Sequence, residues 1–112
     1  MGYEMSLNPT TNAETFEETW YLLDEQGNRI DLTDAIIEFN VQDPMSRSSV
    51  LRASSEDGNI VITSNDFTVR FEVESMRGLT PKNYFVGCTI DLYGNVKGPF
   101  TGTLHVEDGR MQ

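Results

Sequence analysis

The chain has 112 residues, with 18 acidic side chains against 8 Lys and Arg, a formal net charge of −10. That length is one domain, large enough for a real core but not for a core plus a roomy enzyme cleft. The negative field repels phosphate backbones and anionic lipid, so neither nucleic acid nor a membrane surface is an expected partner. With 38% hydrophobic residues the composition is that of a folding chain. No apolar run approaches membrane-spanning length, and Met1-Gly2-Tyr3-Glu4-Met5 lacks a basic, then apolar, leader pattern. The expectation is a protein made in a cytosol and kept there, or carried out inside something larger. Cys88 is the single cysteine, so no disulfide forms within the chain and burial alone must stabilise it.

Residues 1–14 are mostly polar and without periodicity, which predicts an arm with no fixed structure unless a neighbour pins it. Within it Tyr3, Met5 and Leu7 alternate, a pattern suited to an extended segment laid on a neighbour's sheet edge. Such an arm could be deleted with little loss of stability. From residue 15 to 112 the chain reads as short period-two stretches divided by turn signals about every ten residues, the pattern of an all-β sandwich. A first strand is predicted at about Thr15–Leu23, with Phe16, Trp20 and Leu22 in phase, ending in Asp24-Glu25-Gln26-Gly27-Asn28. The second, about Ala35–Gln42, places Ala35, Ile37, Phe39 and Val41 on one face and stops at Asp43-Pro44. A weaker third covers about Ser49–Ser54, and Glu56-Asp57-Gly58-Asn59 reads as a hairpin turn into Ile60-Val61-Ile62. The fifth alternates Phe67, Val69, Phe71 and Val73 with polar residues. The period then breaks, and Glu74-Ser75-Met76-Arg77-Gly78 predicts one helical turn closed by glycine. The sixth strand carries Tyr84, Val86, Cys88, Ile90 and Leu92 in phase. Gly94-Asn95 turns the chain, and the last strand carries Phe100, Gly102, Leu104 and Val106.

The connection into the sixth strand ends in Leu79-Thr80-Pro81-Lys82-Asn83-Tyr84. This Leu-x-Pro-x-x-Tyr spacing resembles the tyrosine corner of Greek-key sandwiches, fibronectin type III modules above all. The resemblance implies that the Tyr84 phenol bonds backbone a few residues upstream, with Leu79 and Pro81 shaping the connection. The fold expected is therefore a seven-stranded Greek-key β-sandwich of the immunoglobulin or fibronectin type III kind.

A second resemblance covers most of the chain from Thr15. It rests on Thr19-Trp20-Tyr21-Leu22-Leu23-Asp24-Glu25-Gln26-Gly27-Asn28, the run from Ile30 to Pro44, the Glu-Asp-Gly-Asn turn and the closing Gly102-Thr103-Leu104-His105-Val106. These phrases are similar to the immunoglobulin-like proteins of tailed-bacteriophage structural modules, in particular the N-terminal domain of baseplate upper proteins. The resemblance implies a virion component of tail, baseplate, neck or capsid surface, made in the bacterial cytoplasm. Its partners would be other virion proteins, and it would be a homo-oligomer or present in many copies. The chain departs from the baseplate pattern in having one domain and no receptor-binding extension, so a stand-alone decoration subunit is equally open.

Residues able to carry chemistry point to no enzyme and no cofactor. His105, the single histidine, is out of phase with Leu104 and Val106, so it should face solvent or a second chain. Cys88 alternates inward and reads as a small buried hydrophobe. The pairs Asp24/Glu25, Glu56/Asp57 and Glu72/Glu74 lie on turns or one strand face, not opposed across a cleft, and no loop has calcium-hand grammar. Trp20 reads as a core anchor, with sugar stacking a minor alternative. Tyr21, Leu23, Ile36 and Phe85 are apolar in the opposite, solvent phase, which marks a candidate protein contact, most clearly at Tyr21, Ile36 and Phe85. The alternative function is an immunoglobulin-like binding module for carbohydrate or a host protein.

Overall fold

Period-two alternation places every second residue of a strand on one face, and this chain buries that face in two sheets around one core. The computed structural model describes residues 3–4 and 7–109, and the backbone alone at 3, 4 and 97–99. The larger sheet joins β1 (Tyr3–Glu4), β2 (Thr10–Thr11), β4 (Ile36–Gln42), β5 (Ser49–Ser54), β8 (Lys82–Leu92) and β9 (Asn95–Glu107). Its order is β1-β9-β8-β4-β5, with β2 also on β9. The smaller sheet is β3 (Phe16–Trp20), β7 (Asp66–Phe71) and β6 (Ile60–Thr63), in the order β3-β7-β6. The chain is thus an all-β sandwich.

Ile37, Phe39 and Val41 of β4 and Val86, Cys88 and Ile90 of β8 face Phe16, Phe67, Val69 and Phe71 of the smaller sheet, all buried. Phe39 is the hub. Its ring centroid lies 5.7 Å from Trp20, 6.0 Å from Phe71 and 6.4 Å from Phe16, distances at which aromatic pairs add to their area burial. Helix α1 (Val73–Met76) bridges β7 to β8, and buries Met76 beneath the connection. Leu79 is buried beside it, and the Tyr84 phenol donates a 2.7 Å hydrogen bond to the Thr80 carbonyl.

Several sequence expectations change. The first strand stops at Trp20, because the Asp24 carboxylate accepts the N–H groups of Gln26 and Asn28 and folds the chain back. β7 ends at Phe71, and Val73 opens the helix instead of extending the strand. The β8–β9 turn is Tyr93-Gly94, with φ of 53° and 88°, the left-handed pair that a two-residue hairpin requires. Tyr93 is held there by its phenol, which donates to the Thr33 carbonyl at 2.9 Å. Glu56-Asp57-Gly58-Asn59 is a tight turn but not a hairpin, since β5 pairs with β4 and β6 with β7. It carries the chain from one sheet to the other, a choice made by which core face Ala53 and Ile60 reach.

The largest correction concerns the first fourteen residues. Expected as an arm outside the sandwich, they supply β1 and β2, which run parallel to β9 at Phe100–Thr101 and Val106–Glu107. The described residues therefore hold nine strands, not seven. Leu7 packs against the core. Asn12 donates to the Leu79 carbonyl and accepts the Gly109 N–H, tying the segment to the Tyr84 connection and to the chain end. The Asn8 N–H donates to Glu18 on β3, so this segment spans the open side between the two sheets. The physical reason is the β9 edge, whose N–H and C=O groups would otherwise lack a ladder partner.

Candidate functional site

The outer face of the larger sheet is polar at its centre and apolar at both ends. At one end, β4 and β5 are joined by residues 43–48. The register shifts between Val41 and Gln42, a bulge that bends the strand into this turn. Asp43 organises it: its carboxylate accepts the N–H groups of Met45 (2.9 Å) and Ser46 (3.3 Å). Its carbonyl accepts the Arg47 N–H, and its own N–H donates to Ser48. Pro44 fixes φ at the position after Asp43, as such turns favour. Lys82 of β8 pairs with the other carboxylate oxygen of Asp43. That ammonium, and next the Met45 N–H, hold the Asp43 carboxyl below its ordinary pKa. Arg47 adopts φ of 62°, a left-handed conformation uncommon for a side chain of its size.

The turn displays Met45, which is 92% exposed. Beside it lies a pocket of about 150 Å³ lined by Gln42, Asp43, Pro44, Arg47 and Phe85. Phe85 is opposite Gln42 in the β8–β4 ladder and is 47% exposed. The exposed thioether on the turn and the half-exposed ring in the pocket give this end of the sheet two apolar groups in solvent. Sequence pattern pointed to Phe85 alone. Met45, Pro44 and Arg47 carry no periodic signal because they lie in a turn; only Asp-Pro marked the place.

The other contact candidates do not join this patch. Ile36, 41% exposed, pairs with Asp91, six positions along β8 from Phe85 and so about 20 Å away. Tyr21 follows β3 on the other sheet, with the Arg29 guanidinium 4.0 Å above its ring. Solvent phase is common to all three, but phase fixes neither the sheet nor the end of the strand. Tyr3 is paired into the chain's own sheet, Leu7 is packed inward, and Met5 lies outside the described residues.

Several of the remaining candidate groups have structural partners. Asp24 and Asp57 cap turns, and Glu72 with Glu17 brackets Arg70. His105 is exposed with Nδ1 2.6 Å from the Asn83 side-chain oxygen. Burial of Cys88 pushes its thiol up to about 12. Among the described residues no three His, Cys, Asp or Glu side chains gather as metal ligands. Between the apolar ends lies a shallow depression of about 400 Å³ around Gly87, edged by Glu38, Asn40, Arg52 and Thr89. No helix among the described residues is long and apolar enough to cross a membrane. No protein-family model matches the chain, and a comparison with curated proteins finds no significant match.

Proposed function

We propose that the chain is a non-enzymatic structural component of a tailed-phage virion, of its tail, baseplate, neck or capsid surface, acting through protein–protein contacts. The resemblance of its strand and turn phrases supplies the virion context. The observation that carries the mode of action is the exposure of Met45 on the hydrogen-bonded 43–48 turn, whose Pro44 and Arg47 line one pocket with the half-exposed Phe85. Burying one such side chain contributes about 1.5–3 kcal/mol, so a monomer in isolation forgoes that gain. The proposed fold is the Greek-key immunoglobulin or fibronectin type III kind. The two sheets joined by crossings and the Tyr84–Thr80 bond support that type. The test is quantitative mass spectrometry of gradient-purified particles from the culture that produces the protein. Stoichiometric recovery with capsid and tail proteins is expected, and reduced occupancy for Phe85→Ser. Complete absence from the particles would remove the virion reading.

One observation favours a second reading, a carbohydrate-binding module. Gly87 sits mid-strand, without positive φ, and a Cβ there would meet nothing within 4 Å, so neither backbone nor packing requires glycine. Gly inside a strand costs roughly 0.5–1 kcal/mol relative to Ala and leaves open the polar depression bordered by Asn40, Glu38 and Arg52. Gly87→Thr is expected to raise the denaturation midpoint, and on this reading it also abolishes glycan-array binding. An array on which wild type binds nothing removes the reading.

A further inference from the structure

The chain contains two Asp-Gly dipeptides, Asp57-Gly58 and Asp108-Gly109, and no Asn-Gly. A glycine after aspartate leaves its peptide nitrogen uncrowded by a side chain, so that nitrogen can attack the aspartate carboxyl carbon. The two dipeptides share this chemistry and have opposite surroundings. Asp57 and Gly58 are both exposed, in the tight turn between β5 and β6. One carboxylate oxygen of Asp57 accepts the N–H groups of Asn59 at 2.9 Å and Ser54 at 3.2 Å. The bond to Asn59 curls the side chain forward over the Gly58 peptide, as in an Asx-turn. Gly58 has open space around it: a Cβ there would meet nothing within 4 Å. Its N–H donates no hydrogen bond among the described residues.

Gly109 is buried, and its N–H donates to the Asn12 side-chain oxygen at 2.9 Å. A Cβ at this position would come within 2.3 Å of the Ala13 methyl. The N-terminal segment therefore both engages the nitrogen that would attack Asp108 and packs against its glycine.

We infer that Asp57 is a site of spontaneous isoaspartate formation, and that the N-terminal segment shields Asp108 from the same reaction. The Gly58 nitrogen forms a bond to Cγ of Asp57 and gives up its proton, while the carboxyl hydroxyl leaves with a proton as water. The product is a five-membered succinimide. Water then adds to either carbonyl carbon of the ring. Addition at Cγ restores aspartate; addition at the former backbone carbonyl breaks its bond to the Gly58 nitrogen and leaves isoaspartate. One water is lost and one regained, so the mass is unchanged. The main chain then runs through Cβ and Cγ, one methylene longer, and the turn between the two sheets loses the side chain that caps it.

The test is peptide mapping of the full chain after weeks at physiological temperature and neutral pH, by mass spectrometry with electron-transfer fragmentation, which distinguishes the two isomers. Isoaspartate is expected to accumulate at Asp57 and roughly tenfold more slowly at Asp108, where a hydrogen bond must first open. In urea the two rates should converge. Asn12→Ala should speed the Asp108 reaction severalfold and leave Asp57 as it was. Asp57→Asn keeps the accepting oxygen and makes ammonia the leaving group, so it should react faster than wild type. Asp57 remaining intact in folded protein while it reacts in urea, or equal accumulation at both aspartates in the folded chain, would overturn the assignment. An Asn12→Ala variant with an unchanged Asp108 rate would overturn the shielding.

Discussion

Leu79 and Tyr84 hold the connection between α1 and β8 from two sides. The Tyr84 ring is 3% exposed, and its hydroxyl is the donor to the Thr80 carbonyl. Tyr84→Phe keeps the ring and leaves that carbonyl without its donor, an expected cost of roughly 1–3 kcal/mol. Leu79→Ala opens a cavity and is expected to cost roughly 2–5 kcal/mol. Both are read from urea midpoints, and Tyr84→Phe melting at the wild-type midpoint would remove the bond from the account of stability. Cys88 gives a chemical counterpart. With its thiol raised to about 12 by burial, thiolate is scarce at neutral pH, and the sulfur is out of reach. Folded protein is expected not to react with a thiol-specific reagent such as Ellman's, and to react with one equivalent in denaturant. Prompt reaction of the folded chain would show that this part of the core opens readily.

Each sheet edge raises the same problem at the scale of the element, and the chain answers differently at two of them. β9 is covered by β1 and β2. β3, an edge of the smaller sheet, carries Glu18 in its inward phase, opposite the buried Val69. An inward charge on an edge discourages strand addition. Burial raises the Glu18 carboxyl above its ordinary value, more than the Asn8 N–H bond lowers it. The folded chain thus binds this proton more tightly than the unfolded chain does. Its stability is therefore favoured below the unfolded value and falls as pH rises through the folded one. Glu18→Gln keeps an acceptor for Asn8 and removes the titration. The variant is expected to be more stable than wild type near pH 7, with the gap closing at about pH 3. It should also aggregate more readily on heating, measured by light scattering. A gap that does not change with pH would show that desolvation of the carboxylate is not the cause.

For the whole molecule, the N-terminal segment decides how much of the chain is the domain. It adds two ladders to β9, packs Leu7, and links through Asn12 to the Leu79 carbonyl and the Gly109 N–H. Gly109 lies so close to Ala13 that a Cβ placed there would come within 2.3 Å of the alanine methyl. Deleting residues 1–14 uncovers the β9 edge and this packing, an expected loss on the order of 2–4 kcal/mol. By the usual scaling that lowers the melting temperature by about 10 °C. A truncated chain melting with wild type would show the segment to be a loosely laid cover.

The order of residues is enough to show an all-β chain, which residues alternate inward, and where most turns fall. Those properties are local: period two, Asp and Asn capping, and glycine at positive φ act within a few residues. It also marked Tyr84, because a fixed spacing brings the hydroxyl back to Thr80 four residues away. The rest depends on contacts between distant parts of the chain. Which strand pairs with which is a long-range choice, so a tight turn at residues 56–59 gave no sign that it crosses between sheets. Polar residues 1–14 have no periodicity, yet β9 offers them a ladder that only the folded chain possesses. Tyr21, Ile36 and Phe85 share a phase but not a neighbourhood, since alternation reports a side of a strand and not its position in the sheet. The 43–48 turn became visible as a site only when a bulge, a capped turn and the β8 ladder brought Asp43, Pro44 and Arg47 to one pocket with Phe85, more than a third of the chain away in sequence.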